Sequence, residues 1–190
     1  MKVKAKKEKA GAYEFLQKED KVDGGIYIND KNRGIGFIGD PEKNYYSFEF
    51  QDGVFSKEVK IFFADKSHIG TVKLGFSDNG TLETLGGKYE WQVVGSSKRW
   101  TDAEKNTVMF LDLENNSETS PSVLFSGMLD AKAKELLMLC GWYLLVIEWR
   151  AGLTNATLAG MPVKSSEFKK EGNQNGSDWF DVLLDITTDF

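Results

Sequence analysis

The chain has 190 residues and a formal net charge of −5 at pH 7, with 41% hydrophobic and 13% aromatic residues. This composition supports a buried core and excludes global disorder, and the length fits one domain with appendages. A single histidine and a single cysteine exclude an intramolecular disulfide and a multi-cysteine metal site, and they argue against a hydrolytic triad. We therefore expect no bound metal, no cofactor and no enzymatic activity.

Charge is distributed unevenly along the chain. The last nineteen residues, 172–190, carry four aspartates and no Lys or Arg, whereas five lysines occur among the first nine residues. Residues 1–171 therefore have a net charge of only −1. A near-neutral body argues against strong non-specific binding to phosphate groups, which requires a basic surface or groove.

Residues 1–23 are polar and rich in lysine, and we predict that they form a basic, mobile N-terminal arm. No apolar stretch follows these lysines, which argues against a secretory signal peptide. The longest apolar run, Leu136 to Ile147, has about twelve residues, too few to span a hydrocarbon core of ~30 Å. The expected location is cytoplasmic, without membrane contact.

From residue 24 to residue 171, short apolar segments are separated by turn residues, a pattern typical of antiparallel strands. The clearest predicted hairpin joins segments 59–63 and 69–76. Further strands are predicted at 88–94 and 107–113, where apolar and polar residues alternate.

Two segments indicate helical structure. Thr101 is the predicted N-cap of a single helical turn over residues 100–106. Asp130 is the predicted N-cap of the alanine- and lysine-rich segment that follows it. Residues 141–149, by contrast, are β-branched and aromatic, as in a buried central strand. We therefore predict a short helix or extended lead-in, followed by a core strand.

These patterns predict an all-β single domain over residues 24–171, with roughly eight to ten strands and at most one or two short helices. Two architectures fit: a barrel of an elaborated oligonucleotide-binding type, and an antiparallel β-sandwich. The minimal oligonucleotide-binding barrel has about five strands, so the strand number favours the sandwich.

Aromatic and basic residues alternate in several of these segments, which is the pattern of a surface that stacks unpaired bases and contacts phosphates. Most aromatic residues of a β protein are instead core residues, and that alternative stays open. Residues 98–100 follow a Gly-Ser-Ser sequence, so we expect them in an exposed loop. The candidate nucleic-acid-binding residues are Tyr46, Phe48, Tyr89, Trp91, Lys98, Arg99, Trp100 and Arg150.

Other chemistry has weaker support. His68 lies in the loop of the predicted hairpin, where a surface histidine without a role is the default expectation. Gly34, Gly36 and Gly39 match a dinucleotide-binding fingerprint by letter, but Asp40-Pro41 ends the segment where that motif requires a helix.

The C-terminal region combines a polar spacer, residues 172–177, with an acidic and aromatic segment, residues 178–190. A Gly/Asn/Ser-rich stretch behaves as a flexible tether, and acidic residues interleaved with apolar ones are typical of a partner-binding segment. The apolar residues also fall close to helical spacing, so a docked amphipathic helix and a closing edge strand both stay open. The candidate partner-binding residues are Asp178, Trp179, Phe180, Asp181, Asp185, Asp189 and Phe190.

This segment resembles the acidic C-terminal tips of bacterial and phage single-stranded-DNA-binding proteins. The resemblance covers residues 178–190 and implies that an oligonucleotide-binding barrel holds the strand while the tip recruits replication and repair enzymes. The segment departs from that pattern in its lower density of acidic residues and its greater aliphatic content at Val182, Leu183, Leu184 and Ile186.

The expected function is therefore sequence-tolerant binding of single-stranded nucleic acid, with an acidic tail that recruits replication or repair proteins. The alternative is a structural protein of the virion type that self-assembles through strand edges or its termini, or a carbohydrate-binding protein. Exposed aromatic rings stack on sugars as readily as on bases, so composition does not separate these classes. A homo-oligomer is compatible with each of them.

Overall fold

The computed structural model describes residues 2–5, 12–16, 22–29, 31–53, 57–75, 79–95, 97–112, 122–126 and 129–150. Within these ranges the chain forms twelve strands and one helix. The strands are β1 (Lys2–Ala5), β2 (Ala12–Leu16), β3 (Val22–Ile28), β4 (Arg33–Ile38), β5 (Tyr45–Asp52), β6 (Lys57–Phe63), β7 (His68–Leu74), β8 (Gly80–Thr84), β9 (Gly87–Val94), β10 (Ser97–Thr101), β11 (Thr107–Asp112) and β12 (Ser122–Phe125), and the helix is α1 (Ala131–Arg150).

Each strand pairs with the next strand in the chain in antiparallel orientation, and β12 returns to β1, so the sheet closes into an up-and-down barrel. The closing contact is narrow, with Lys2 and Ser122 as its residue pair. Short polar turns make the connections that the structure describes in full; between β6 and β7, for example, the Ser67 amide donates to the Asp65 carboxylate at 2.9 Å. Each described strand thus has a neighbour on both sides, and β1 and β12 meet only at the narrow seam.

Side chains alternate between the interior of the barrel and its outer surface, as strand geometry requires. On β6, Val59 and Ile61 are fully buried in the interior, and Lys60 between them lies on the outer surface. The same alternation on β4 turns Gly34 and Gly36 inward. The interior side chains of all the strands thus face a common core.

Helix α1 lies inside the barrel. A Cβ atom on Gly36 of β4 would stand 2.8 Å from Leu139, and one on Gly141 would stand 3.0 Å from the indole nitrogen of Trp100 in β10. The helix therefore contacts strands on opposite sides of the barrel. Every residue from 137 to 148 is buried, as is typical of a helix that is apolar on all sides.

Both ends of α1 are held by hydrogen bonds. The Ala133 amide donates to the Asp130 carboxylate at 2.7 Å, which confirms the predicted N-cap. Toward the other end, the Tyr143 hydroxyl donates to the Asn32 carbonyl oxygen. The helix thus begins at the end of the barrel that carries the β6–β7 and β8–β9 turns, which we call the barrel mouth, and runs toward the opposite end.

The all-β class is confirmed, and of the two predicted architectures the barrel is the one observed, although not as an oligonucleotide-binding type. The observed barrel is a twelve-stranded meander within the described ranges, whereas the oligonucleotide-binding barrel is a five-stranded Greek key. Residues 141–149, predicted as a core strand, belong to α1, because an apolar run without periodicity suits a fully buried helix as well as a strand. The helix, with 20 residues, is longer than the short helices expected.

Other local predictions have mixed outcomes. The hairpin at 59–63 and 69–76 is confirmed as β6 and β7. The helical turn over 100–106 is wrong, because Thr101 ends β10 and the Asn106 amide closes a turn onto the Asp102 carboxylate at 2.8 Å. The expected mobile arm is also wrong where the structure describes it, since β1 and β2 are barrel strands. The predictions for residues 151–190 lie outside the described residues.

Gly141 provides a test of how tightly the barrel holds its helix. A side chain there would meet Trp100, Met109 and Trp91 at 3.0–3.1 Å. We expect Gly141→Leu to lower the free energy of unfolding by about 1–3 kcal/mol or more through overpacking, measured by urea denaturation. Ala131→Leu, at the exposed start of the same helix, is the control and should be nearly neutral. Equal effects of the two substitutions would contradict the close fit.

Candidate functional site at the barrel mouth

A cleft of about 320 Å³ opens at the barrel mouth between the first turns of α1 and the barrel wall. Its volume falls in the range of roughly 300–1,000 Å³ that is usual for ligand sites. The apolar part of its lining comes from barrel strands, the β8–β9 turn and α1, and includes Phe63, Ile69, Leu85 and Leu136. We call it the mouth cleft.

The polar lining of the mouth cleft includes two phenols, the Asp130 carboxylate, the Lys132 ammonium and the hydroxyls of Ser67 and Thr84. Tyr46 and Tyr89 enter from β5 and β9, and Asp130 stands at the start of α1. The Tyr46 hydroxyl donates to the Glu135 carboxylate over a long distance of 3.4 Å. The Tyr46 ring also packs edge-on against Phe63, with 5.4 Å between centroids. The polar groups are therefore fixed against an apolar wall.

Burial governs the protonation of these groups. It is the main reason that the pKa of Tyr46 rises to about 12, with the neighbouring Glu135 charge second. Burial also raises the pKa of Tyr89, with Asp130 and Asp102 adding to it. The pKa of Glu135 is raised by burial, and the hydrogen bond from Tyr46 opposes that rise. At neutral pH both phenols are therefore donors.

Leu85 stands at the lip of the mouth cleft and is 98% exposed. The turn that carries it is fixed by the Thr84 hydroxyl, which accepts from the Gly86 amide and donates to the Gly87 carbonyl, both at 3.1 Å. A single exposed leucine is unremarkable on a surface. Here it extends the apolar wall of a cleft, so a ligand in the cleft would cover it.

The predicted nucleic-acid-binding residues are separated by the fold. Trp91, Trp100 and Phe48 are fully buried in the interior, so their rings have no face to offer a base. The exposed loop expected at residues 98–100 is wrong, because these residues form part of β10. Consecutive strand residues face opposite sides of the wall, which turns Lys98 and Trp100 inward.

The remaining predicted nucleic-acid-binding residues lie elsewhere in the structure. Tyr46 and Tyr89 line the mouth cleft. Arg99 faces outward and is half-buried, and its guanidinium donates to the Gln92 side-chain oxygen at 3.0 Å. The side chain of Arg150 and the acidic segment 178–190 lie outside what the structure describes. No sequence signal identified Leu85 or Glu135, because only the closed barrel brings them to one opening.

Lys98 belongs to a buried ion pair at the end of the barrel opposite the mouth. Its ammonium lies 2.6 Å from the Glu148 carboxylate, and the two side chains are 4% and 8% exposed. The Trp91 indole donates to the second oxygen of the same carboxylate at 3.1 Å. This arrangement ties β9, β10 and α1 together and leaves Lys98 unavailable to phosphate.

Cys140 is fully buried, and burial raises the pKa of its thiol, which disfavours a reactive thiolate. In the described ranges, no three His, Cys, Asp or Glu side chains lie close enough to hold a metal ion. Nor does the described part of the chain contain a helix with the length and apolar character needed to cross a membrane.

Comparison of the chain with protein-family models, with curated proteins and with solved structures finds no match. The function of this protein is therefore inferred from the geometry of its fold.

The buried ion pair yields a stability test. Lys98→Met leaves Glu148 buried and unpaired, and we expect a loss of about 3–5 kcal/mol in the free energy of unfolding. Adding Glu148→Gln removes the orphaned charge while keeping an acceptor for Trp91, so the double variant should recover most of the loss. Urea denaturation measures both. A double variant no more stable than Lys98→Met would contradict this account.

Glu135 yields a pH test with a defined sign. Its raised pKa means that the folded state holds this proton more tightly than the unfolded chain does, so the associated stability is lost as pH rises through the raised value. As pH rises from about 4, the ordinary value for a glutamate, through the raised pKa, Glu135→Gln should gain stability relative to the unchanged protein. Chemical denaturation at several pH values measures the difference.

Glu83→Gln is the matched control. The ion pair with Lys73, 2.8 Å away, lowers the pKa of Glu83, so its contribution is present at neutral pH and lost as pH falls. As pH rises from the lowered pKa to the ordinary value of about 4, this variant should therefore lose relative stability, so its change has the opposite sign and lies below the pH range of the Glu135→Gln change. The same sign for both variants would show that burial does not govern Glu135.

Proposed function

We propose that this protein is a non-catalytic, structural binding protein whose barrel mouth takes up an apolar side chain of a protein partner. The observation that carries the proposal is the mouth cleft, with the fully exposed Leu85 at its lip. The barrel interior is filled by α1, so a ligand has access to the barrel ends and the outer surface. The mouth cleft joins apolar walls to a few fixed polar groups, as binding sites do.

The charges at the mouth cleft favour one kind of partner. The described lining of the mouth cleft contains one carboxylate, Asp130, and one ammonium, Lys132. Glu135, which accepts a hydrogen bond from Tyr46 of the lining, adds a second carboxylate. A carboxylate or phosphate entering there would meet like charge. A leucine or phenylalanine side chain of the partner would pack against the apolar wall of the cleft. A neighbouring lysine or arginine would donate hydrogen bonds to the carboxylates.

Binding of single-stranded nucleic acid remains a prediction, with a changed physical basis. Three of the rings expected to stack on bases, Phe48, Trp91 and Trp100, are interior residues, so stacking would be limited to Tyr46 and Tyr89 at the mouth cleft. Carbohydrate binding loses the same aromatic surface. Self-assembly of the virion type remains compatible with the barrel, but through faces or termini, because the strands are paired on both sides.

Capped dipeptides test the proposal directly. We expect N-acetyl-Leu-Lys-amide to bind more tightly than N-acetyl-Leu-Glu-amide, followed by nuclear magnetic resonance shifts of Tyr46, Tyr89 and Leu85. Leu85→Asp should weaken Leu-Lys binding about tenfold, because burying a leucine side chain contributes about 1.5–3 kcal/mol. Leu124→Asp, a matched change at a 60% exposed leucine on β12, should leave binding unchanged.

Three outcomes would contradict the proposal: no dipeptide binding at millimolar concentration, equal binding of the two dipeptides, or equal effects of the two aspartate variants. A poly-dT titration at two salt concentrations completes the experiment. Oligonucleotide binding that falls steeply with salt, without dipeptide binding, would restore the nucleic-acid hypothesis to first place.

A further inference from the structure

One outer face of the barrel is buried although the described elements place nothing over it. On β4, Gly34 and Gly36 face α1, so Ile35 and Phe37 must face outward. These two outward side chains are nevertheless only 4% and 3% exposed. They form a hydrophobic cluster of their own, separate from the barrel core.

The buried face extends across neighbouring strands. Strand pairing aligns Ala12, Tyr27, Ile35 and Ser47 in one row over β2, β3, β4 and β5. Phe37 and Tyr45 form the next row. Ala12 and Ser47 are 2% and 5% exposed. We call these six residues the covered face.

Several outward residues elsewhere on the barrel are open to solvent. Leu124 on β12 is 60% exposed, and Lys73, Glu83 and Lys88 on β7, β8 and β9 are exposed as well. The outward position by itself therefore does not produce burial. The covered face has this low exposure in a single chain, so the atoms that cover it belong to the same chain. Helix α1 is not the cover, because it lies inside the barrel.

We propose that residues 178–190 pack over the covered face as an intramolecular ligand. Of the segments outside the described ranges, residues 6–11 and 17–21, beside β2 and β3, are short and polar, and residues 54–56, after β5, contain only two apolar side chains, Val54 and Phe55. Residues 178–190 contain Trp179, Phe180, Leu183, Leu184 and Ile186. That run supplies several large apolar side chains within eight positions, close to helical spacing.

The length of the chain after α1 and the cations beside the covered face are both compatible with residues 178–190 as its cover. The chain leaves α1 at the end of the barrel opposite the mouth, where β2 begins and β3 ends. Between residue 150 and residue 178 it has enough length to span roughly 90 Å when extended, several times the height of a strand of about 20 Å. Outward-facing Arg33 and Lys60 flank Glu49 in the adjacent row, and Glu14 lies in the Phe37 row, so the aspartates of the segment would pair with Arg33 and Lys60, away from Glu14.

The covered face is thus a binding site for an acidic, aromatic peptide, occupied by the chain's own C-terminal segment. A partner that recognises this segment would have to displace it from the barrel. Release would expose Ile35 and Phe37 on the barrel and the apolar side chains of the freed segment. Each release would therefore produce two apolar surfaces.

Photo-crosslinking in the full-length protein tests the assignment. Benzoylphenylalanine in place of Tyr45, at the half-buried edge of the covered face, should crosslink to residues 178–190 within one chain, identified by mass spectrometry of monomeric product. The same probe in place of Lys88, on the opposite side of the barrel, should not reach that segment. Leu183→Asp should abolish the Tyr45-site crosslink without changing the circular dichroism spectrum.

Each other result overturns the proposal. Crosslinked dimers through residues 178–190 would show that the segment docks on a second copy. Crosslinks to residues 6–11, 17–21 or 151–177 would identify another cover. An unchanged Tyr45-site crosslink in Leu183→Asp would show that the apolar residues of the segment do not hold it. None of these results bears on the mouth cleft, so the proposed function is tested separately.

Discussion

The interior of the barrel has to be filled, and α1 fills it. Barrels of about eight strands can be packed by their own side chains, whereas wider ones enclose space that needs another occupant. A helix about 10–12 Å across with its side chains meets that need. Its close approach depends on the absence of side chains at Gly34 and Gly36 in the wall and at Gly141 in the helix.

Filling the interior with an apolar helix determines where polar chemistry can lie. The Trp100 indole donates to the Leu137 carbonyl at 3.0 Å, and Lys98 pairs with Glu148, so buried polar groups serve to align helix and wall. Unpaired polar groups would be costly there. Function is therefore expected at the mouth, where the partly exposed Tyr89 and Glu135 lie, and on the outer faces.

The sequence indicated the strands well and their arrangement poorly. The 59–63 and 69–76 hairpin and the Asp130 cap depend on local patterns, and both are confirmed. Residues 141–149 carry no periodicity, so propensity could not identify a buried helix. The pairing of Lys98 with a residue fifty positions away is set by closure of the barrel. Ile35 and Phe37 gave the same apolar signal as core residues, although they face outward.

The central claim is that α1 and the barrel wall form one cooperative unit. Native-state hydrogen exchange of the full chain, resolved by residue, measures this most directly. The account predicts that amides within 137–148 exchange only by the same global unfolding that exposes the amides of β10 and β11. Helix amides that exchange through a separate opening of much lower free energy, while β10 and β11 stay protected, would contradict it.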